Sequence, residues 1–229
     1  VEDEPNFYSH FVPVLYERIR ESAIGLLPRA DRPDTPWEVL DNRPLVLLRR
    51  NFEDACEVLY HYQMQVMALI TDMRFPVNGV LQGDAGLRLL YRARSINGHL
   101  PVVVHSREKD NIKAVKEAKA RFLWKDSSRL LTDLDHFLKN FCGFGPFVFR
   151  WPAGDRYGVA RNLRELHDLV QTVPDVVFEF HALHFDYSTW LAVHGYLDLA
   201  HRVRDLRIGA AEPRQDVIRL LEEELNKKG

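Results

Sequence analysis

The sequence predicts an α/β domain built on a doubly wound parallel sheet, followed by a small, mostly helical α+β domain. Three observations carry this expectation. From about residue 45 to residue 141, short apolar runs alternate with segments of helical periodicity, a pattern that implies parallel strands joined by crossover helices and buried on both faces. At Phe141-Cys142-Gly143-Phe144-Gly145-Pro146 the texture changes, closing one helix and opening a hairpin pattern, which sets a boundary near residue 143. A length of 229 residues suits two domains better than one, since domains cluster at about 100–150 residues.

Each element has a local reason. Phe7, Phe11, Val14, Leu15 and Ile19 recur at helical spacing and predict an amphipathic helix over 6–21. Pro28, Pro33 and Pro36, with Asp31 and Asp34, break any regular element across about 22–43, leaving a loop with a short helix near Trp37–Leu40. The apolar runs Leu45–Leu48, Val66–Thr71, Val102–His105 and Arg121–Trp124 read as strands. Helices are expected between and after them at Phe52–Tyr62, about Gly86–Ser95, Asn111–Ala118 and Ser128–Phe141. The stretch from Val77 to Gly86 reads as a long loop.

In the second domain, Phe147–Trp151 and Tyr157–Ala160 flank the turn-rich Pro152-Ala153-Gly154-Asp155 and predict a hairpin. Asn162 followed three positions later by Glu165 resembles a capping box, opening a helix with Leu163, Leu166, Leu169 and Val170 on one face. Val176–His184 fits either a helix or a buried strand. Ser188 is placed to cap Thr189–His194, and Gly195 to stop it. Leu197, Ala200, Val203 and Leu206 predict a further helix. Pro213–Lys228 predicts the last, with Val217, Ile218, Leu221 and Leu225 on one side, serving as a solvated cover or as a linker to another domain.

Composition excludes several function classes. Thirty-one Lys+Arg against 33 Asp+Glu give a net charge of -2, so no global field draws the chain to nucleic acid or to an anionic membrane. Residues 143–229 hold 11 basic and 13 acidic side chains and no basic recognition helix, so neither DNA output nor any nucleic-acid-binding residue is expected. Cys56 and Cys142, the two cysteines, exclude a disulfide-stapled scaffold and read as packing residues. No apolar run approaches the ~20 residues of a membrane span, and a reducing, cytoplasmic setting is the expectation. His181, His184, His194 and His201, with Asp186 nearby, read as packing and surface positions rather than metal ligands.

In a doubly wound sheet, ligands collect beyond the carboxyl ends of the strands. Glu2-Asp3-Glu4 precedes the first helix, and Asp72, Ser106 and Lys125 each end an apolar run. Clustered carboxylates suit a hard dication such as Mg²⁺. Lys125 and Ser106 suit phosphoryl oxygens, and Asp72 suits a carboxylate nucleophile that forms an acyl phosphate.

These segments resemble the receiver domain of two-component response regulators, over residues 1–141. The acidic pair lies in Val1-Glu2-Asp3-Glu4-Pro5, and the phosphoacceptor strand resembles Leu69-Ile70-Thr71-Asp72-Met73-Arg74-Phe75-Pro76. The family's fourth strand resembles Pro101-Val102-Val103-Val104-His105-Ser106, and its fifth Phe122-Leu123-Trp124-Lys125. The resemblance implies a five-stranded, flavodoxin-like parallel sheet over 1–142 and phosphorylation of Asp72 by a sensor histidine kinase, a phosphotransfer protein or a small phosphodonor. It further implies Mg²⁺ held by Glu2, Asp3, Asp72 and the Arg74 carbonyl. Ser106 and Lys125 would hold the phosphoryl group, with Ser106 and Phe122 as switch residues. On this reading the chain is a signalling phosphoprotein of a phosphorelay, passes its state to residues 143–229 or to a protein partner, leaves room for a homodimer, and is no enzyme beyond its own phosphoryl transfer and dephosphorylation. The alternative is a degenerate receiver: an unphosphorylated docking or regulatory region of a larger multidomain protein, such as a pyruvate-phosphate-dikinase-like enzyme, whose receiver-linked module residues 143–229 faintly resemble.

The departures from the family pattern are local. Asp72 follows Asp3 by 69 positions, roughly twenty more than usual, the excess matching the 22–43 insertion. Asp126 stands after Lys125 in place of the common proline and is placed to draw Lys125 away by ion pairing. Only Val1 precedes the acidic pair, where the family has its first strand. About four missing apolar residues, at ~1.5–3 kcal/mol for each buried side chain, would rival the ~5–15 kcal/mol stability of a domain. The natural chain is therefore expected to continue upstream.

Overall fold

A computed structural model describes residues 1–24, 44–206 and 213–227. The expected 22–43 insertion falls outside them apart from its first three residues, which extend the first helix, and residues 44–50 form no regular element. The short helix expected at Trp37–Leu40 and the C-terminal Lys228 also lie outside the described residues. The chain is mixed α/β and divides into two compact units, the first being Val1–Glu17 with Leu45–Phe137. Described residues 18–24, 44, 138–206 and 213–227 belong to the second. The division falls inside a helix at Phe137, ahead of the glycine-rich turn. Residues 138–145 are tied to the second unit by the Gly145 carbonyl, which accepts from Trp190 Nε1 at 2.9 Å.

Helix α1 (Pro5–Ile24) has its residues 5–17 in the first unit, where it buries Phe11. Helix α2 (Phe52–Tyr62) starts at Asn51, whose side-chain oxygen accepts from the Asp54 N–H at 2.8 Å, satisfying one of the free amides of a first turn. Strand β1 (Leu69–Asp72) leads to a hairpin of β2 (Phe75–Val77) and β3 (Val80–Gln82). Helix α3 (Ala85–Ile96), β4 (Val102–Ser106), α4 (Asn111–Glu117), β5 (Arg121–Trp124) and α5 (Leu130–Phe141) follow.

Strands β1, β4 and β5 form a parallel sheet in that order, with Asp72 beside His105 and Ser106 beside Trp124. All five residues of β4, the middle strand, are buried, as a strand covered on both faces requires. Its core is Leu69, Val102 and Val104 packed with Leu89, Leu90 and Ala93 of α3 and with Ala55 and Leu59 of α2.

The sheet thus differs from the five strands expected. Residues 66–68 stay outside β1, whose ladder to β4 starts at Leu69 opposite Val102. Leu45–Leu48 joins no ladder, with Leu45 and Leu47 exposed. Val1 and Glu2 nevertheless bond to both neighbours. The Val1 nitrogen donates to the Ile70 carbonyl, the Asp72 N–H donates to the Val1 carbonyl at 2.8 Å, and the Glu2 N–H donates to the Arg49 carbonyl at 3.1 Å. The first two bonds are those of one parallel bridge between Val1 and Thr71.

The stretch expected as a long loop is the β2–β3 hairpin. Asn78 and Gly79 both have positive φ, 49° and 75°, as a type I′ turn demands, and Asn-Gly is its characteristic dipeptide. The Asn78 N–H donates to Glu53 Oε1 at 3.0 Å, fastening the turn to α2.

The second unit opens with the antiparallel hairpin of β6 (Phe147–Arg150) and β7 (Arg156–Ala160). Helices α6 (Leu163–Thr172), α7 (Asp175–Leu183), α8 (Asp186–Val193), α9 (Leu197–Asp205) and α10 (Pro213–Asn226) follow. The capping box forms: Asn162 Oδ1 accepts from the Glu165 N–H at 2.9 Å, and Glu165 Oε2 accepts from the Arg161 N–H at 2.9 Å. Residues 175–183 are helix rather than strand, burying Val177, Phe178 and His181 on one side. Ser188 does not cap. Helix α8 begins two residues earlier, after Phe185 in the left-handed region, and Ser188 Oγ donates back to the Phe185 carbonyl at 3.1 Å. The core is aromatic, with Phe147 stacked on Tyr187 at 5.0 Å and Trp190 fully buried beside them.

Candidate functional site

The carboxyl end of the three-stranded sheet gathers a buried polar cluster. Asp72 ends β1, His105 and Ser106 end β4, and Lys125 follows β5. Glu2 reaches the same place through the Val1 bridge. Glu2, Asp72, His105, Ser106 and Lys125 are all buried, which is costly for charged groups unless they are paired.

Pairing centres on Lys125. Its Nζ donates to Asp72 Oδ2 at 2.6 Å and lies 3.1 Å from Glu2 Oε2 and 3.5 Å from Glu2 Oε1. The Phe7 ring of α1 sits 4.1 Å from the same ammonium, adding a cation–π contact. Backbone meets two of the other oxygens: Asp72 Oδ1 accepts the Met73 N–H at 2.7 Å, and Glu2 Oε1 accepts the Glu4 N–H at 3.1 Å, while Glu2 Oε2 faces Lys125 as an ion pair without a hydrogen bond of its own. Helix α3 approaches so closely that a Cβ at Gly86 would lie 2.2 Å from the Asp72 carbonyl oxygen. Only glycine fits there.

Two carboxylates share one ammonium. Burial pushes the Glu2 carboxyl up to about 6, helped by the nearby Asp72 charge and opposed by Lys125. Burial also raises Asp72, against the hydrogen bond and charge of Lys125. His105 is held well below its ordinary value by burial first and by the Lys125 charge second, so its ring is neutral near pH 7.

Sequence reasoning missed His105. It is fully buried, in T-shaped contact with Phe11 at 4.8 Å, and neither ring nitrogen has a hydrogen-bond partner. Nδ1 lies 3.5 Å from Glu2 Oε2 and 3.9 Å from Asp72 Oδ1. One ligand atom each from Glu2, Asp72 and His105 fall within 4.8 Å of one another, so the group can hold a metal ion. The signal was a lone histidine in an otherwise apolar strand, immediately before a hydroxyl residue expected in the site.

The other expected residues are placed less centrally. Ser106 Oγ accepts from the Glu108 N–H and from Asn111 Nδ2, each at 3.1 Å, and so holds the start of α4. Asp3 is half-buried with Oδ1 enclosed and lacking a hydrogen-bond partner. Arg74 is exposed, and Phe122 packs at the margin of the core. Asp126 does not draw Lys125 away: it is exposed and pairs loosely with Arg107 at 3.9 Å, because the buried carboxylates of Glu2 and Asp72 hold the ammonium. In the second unit, His181 joins β6 to α8, accepting the Arg150 N–H at 2.8 Å and meeting Asp186 Oδ2 at 2.7 Å.

Among the described residues, no helix is long and apolar enough to cross a membrane. The chain matches no family model, and no curated protein or solved structure is significantly similar to it. The residues themselves therefore carry the functional reading.

Proposed function

We propose that the first unit is a receiver module in which Asp72 accepts a phosphoryl group. The observation that carries this reading is the buried Asp72 carboxylate at the end of a parallel strand, 2.6 Å from the Lys125 ammonium. One Asp72 oxygen would attack phosphorus, forming the acyl phosphate as the bond to the donor nitrogen or oxygen breaks. Lys125 would move with the transferred oxygens, leaving Glu2 to the cation. Glu2, Asp3 and Asp72, with the Arg74 carbonyl, would hold Mg²⁺, which neutralises phosphoryl charge. The enclosed, unpartnered oxygen of Asp3 supports that donor set. The Val1 bridge and the bond to Arg49 support the finer sheet, with 44–50 and Val1–Glu2 completing five strands beside β1, β4 and β5.

In this reading a sensor histidine kinase or phosphotransfer protein charges Asp72. The added charge alters how Ser106 and Phe122 pack, and the change is read by the second unit or by a protein partner, a second copy included, rather than by DNA. The module is cytoplasmic and performs no other reaction. The engaged Ser106 hydroxyl favours a second reading, an unphosphorylated docking region within a larger multidomain protein. Incubation with Mg²⁺ and acetyl phosphate separates the two. A one-phosphoryl mass increase that is absent from Asp72→Asn supports the first, and no adduct with either acetyl phosphate or beryllofluoride overturns it.

A further inference from the structure

The buried imidazole of His105 sets this pocket apart from an all-oxygen Mg²⁺ site. Both of its ring nitrogens are enclosed without hydrogen-bond partners, an arrangement that leaves their lost hydration uncompensated. Nδ1 faces two carboxylates, 3.5 Å from Glu2 Oε2 and 3.9 Å from Asp72 Oδ1. Ligands ~2.1 Å from a common ion stand roughly 3.4 Å apart when tetrahedral and about 3–4 Å apart when octahedral, so these separations need little adjustment. Imidazole with carboxylate favours first-row transition metals over Mg²⁺.

We propose that Glu2, Asp72 and His105 bind a first-row transition-metal dication, with His105 as nitrogen ligand, in preference to Mg²⁺. Lys125 Nζ, 2.6 Å from Asp72 and 3.1 Å from Glu2, is the cation that the metal displaces. The ammonium and the metal therefore compete, and Lys125→Met tightens metal binding. The inference does not require Asp72 to be phosphorylated.

The test is calorimetric titration of the full chain with Co²⁺ and with Mg²⁺ at about pH 8, where Glu2 is ionised with or without Lys125, together with proton NMR of the Co²⁺-loaded protein. Wild type is expected to bind Co²⁺ roughly tenfold or more tighter than Mg²⁺ and to show the paramagnetically shifted ring resonances of one coordinated imidazole. His105→Val, a residue type its strand neighbours already use, should lose both the shifted resonances and the preference. Should that variant fail to fold, Lys125→Met decides: a Co²⁺ affinity about tenfold higher than wild type supports the inference, and an unchanged or lower affinity overturns it. Equal affinity for the two ions, absence of shifted imidazole resonances, or shifted resonances that survive in a folded His105→Val would each overturn the inference. An Asp72 adduct formed without a nitrogen-bound metal refutes this inference alone. Nitrogen-bound Co²⁺ with no adduct refutes only the phosphoacceptor reading.

Discussion

Replacing Lys125 by methionine tests the electrostatics of the pocket directly. The substitution keeps an apolar stem against Phe7 but removes the one ammonium that stands 2.6 Å from Asp72 and 3.1 Å from Glu2. Breaking a buried ion pair from one side costs ~3–5 kcal/mol while the remaining charges stay ionised. Relief comes from a proton. Glu2, already pushed up from 4.5 to about 6, rises further without Lys125 and protonates near neutrality. A carboxyl raised by folding lends stability that is complete below its unfolded pKa and is lost as pH climbs through its folded pKa. In wild type that loss is over at about pH 6; in the variant it continues upward at ~1.4 kcal/mol per pH unit. The deficit of the variant should therefore widen by ~2 kcal/mol between roughly pH 5.5 and pH 8. Urea titrations at both pH values, with amide exchange of Met73 and Ser106 as local probes, measure it. A variant as stable as wild type at the higher pH, or a deficit that does not shrink on acidification, would refute the shared-ammonium account.

Three further outcomes follow from single contacts. Gly86→Ala drives a Cβ to 2.2 Å from the Asp72 carbonyl oxygen and should destabilise the first unit by ~1–3 kcal/mol or more, seen as a lower thermal midpoint and as faster exchange at Asp72. Ser106→Ala removes the acceptor of two bonds at 3.1 Å; amide exchange at Glu108 should speed up about tenfold, the equivalent of ~1.4 kcal/mol, while β1 amides stay protected. Trp190→Phe leaves the buried Gly145 carbonyl without its 2.9 Å donor and should cost ~1–3 kcal/mol, measured by chemical denaturation of the full chain with the fluorescence of the remaining tryptophans and far-UV circular dichroism.

Local chemistry made much of the fold legible. Helix α2 and strand β5 run from Phe52 to Tyr62 and from Arg121 to Trp124 as their patterns predict, and the Asn162–Glu165 box caps α6. In these segments side-chain periodicity, turn residues and caps act within a few positions of one another. The Asn78-Gly79 hairpin was equally local, and its dipeptide stood in plain view inside a stretch read as a loop. Other features depended on packing at long range. Whether Val176-Val177-Phe178 became strand or helix turned on which face met the aromatic core, since a short apolar run suits either. Whether 45–48 became a strand turned on how much backbone stood beside it.

The sequence by itself determined which polar groups the strands carry to their carboxyl ends: Asp72, Ser106 and Lys125, with Glu2 before the first helix. Tertiary structure decided which of them meet. It joined Lys125 to Asp72 and Glu2, turned Ser106 toward α4, left Asp126 at the surface with Arg107, and brought in His105 from the middle strand. The physical reason is that burial forces each charge to find a partner within hydrogen-bond reach, and that choice is made among groups far apart in the chain, where spacing along the sequence carries no distance.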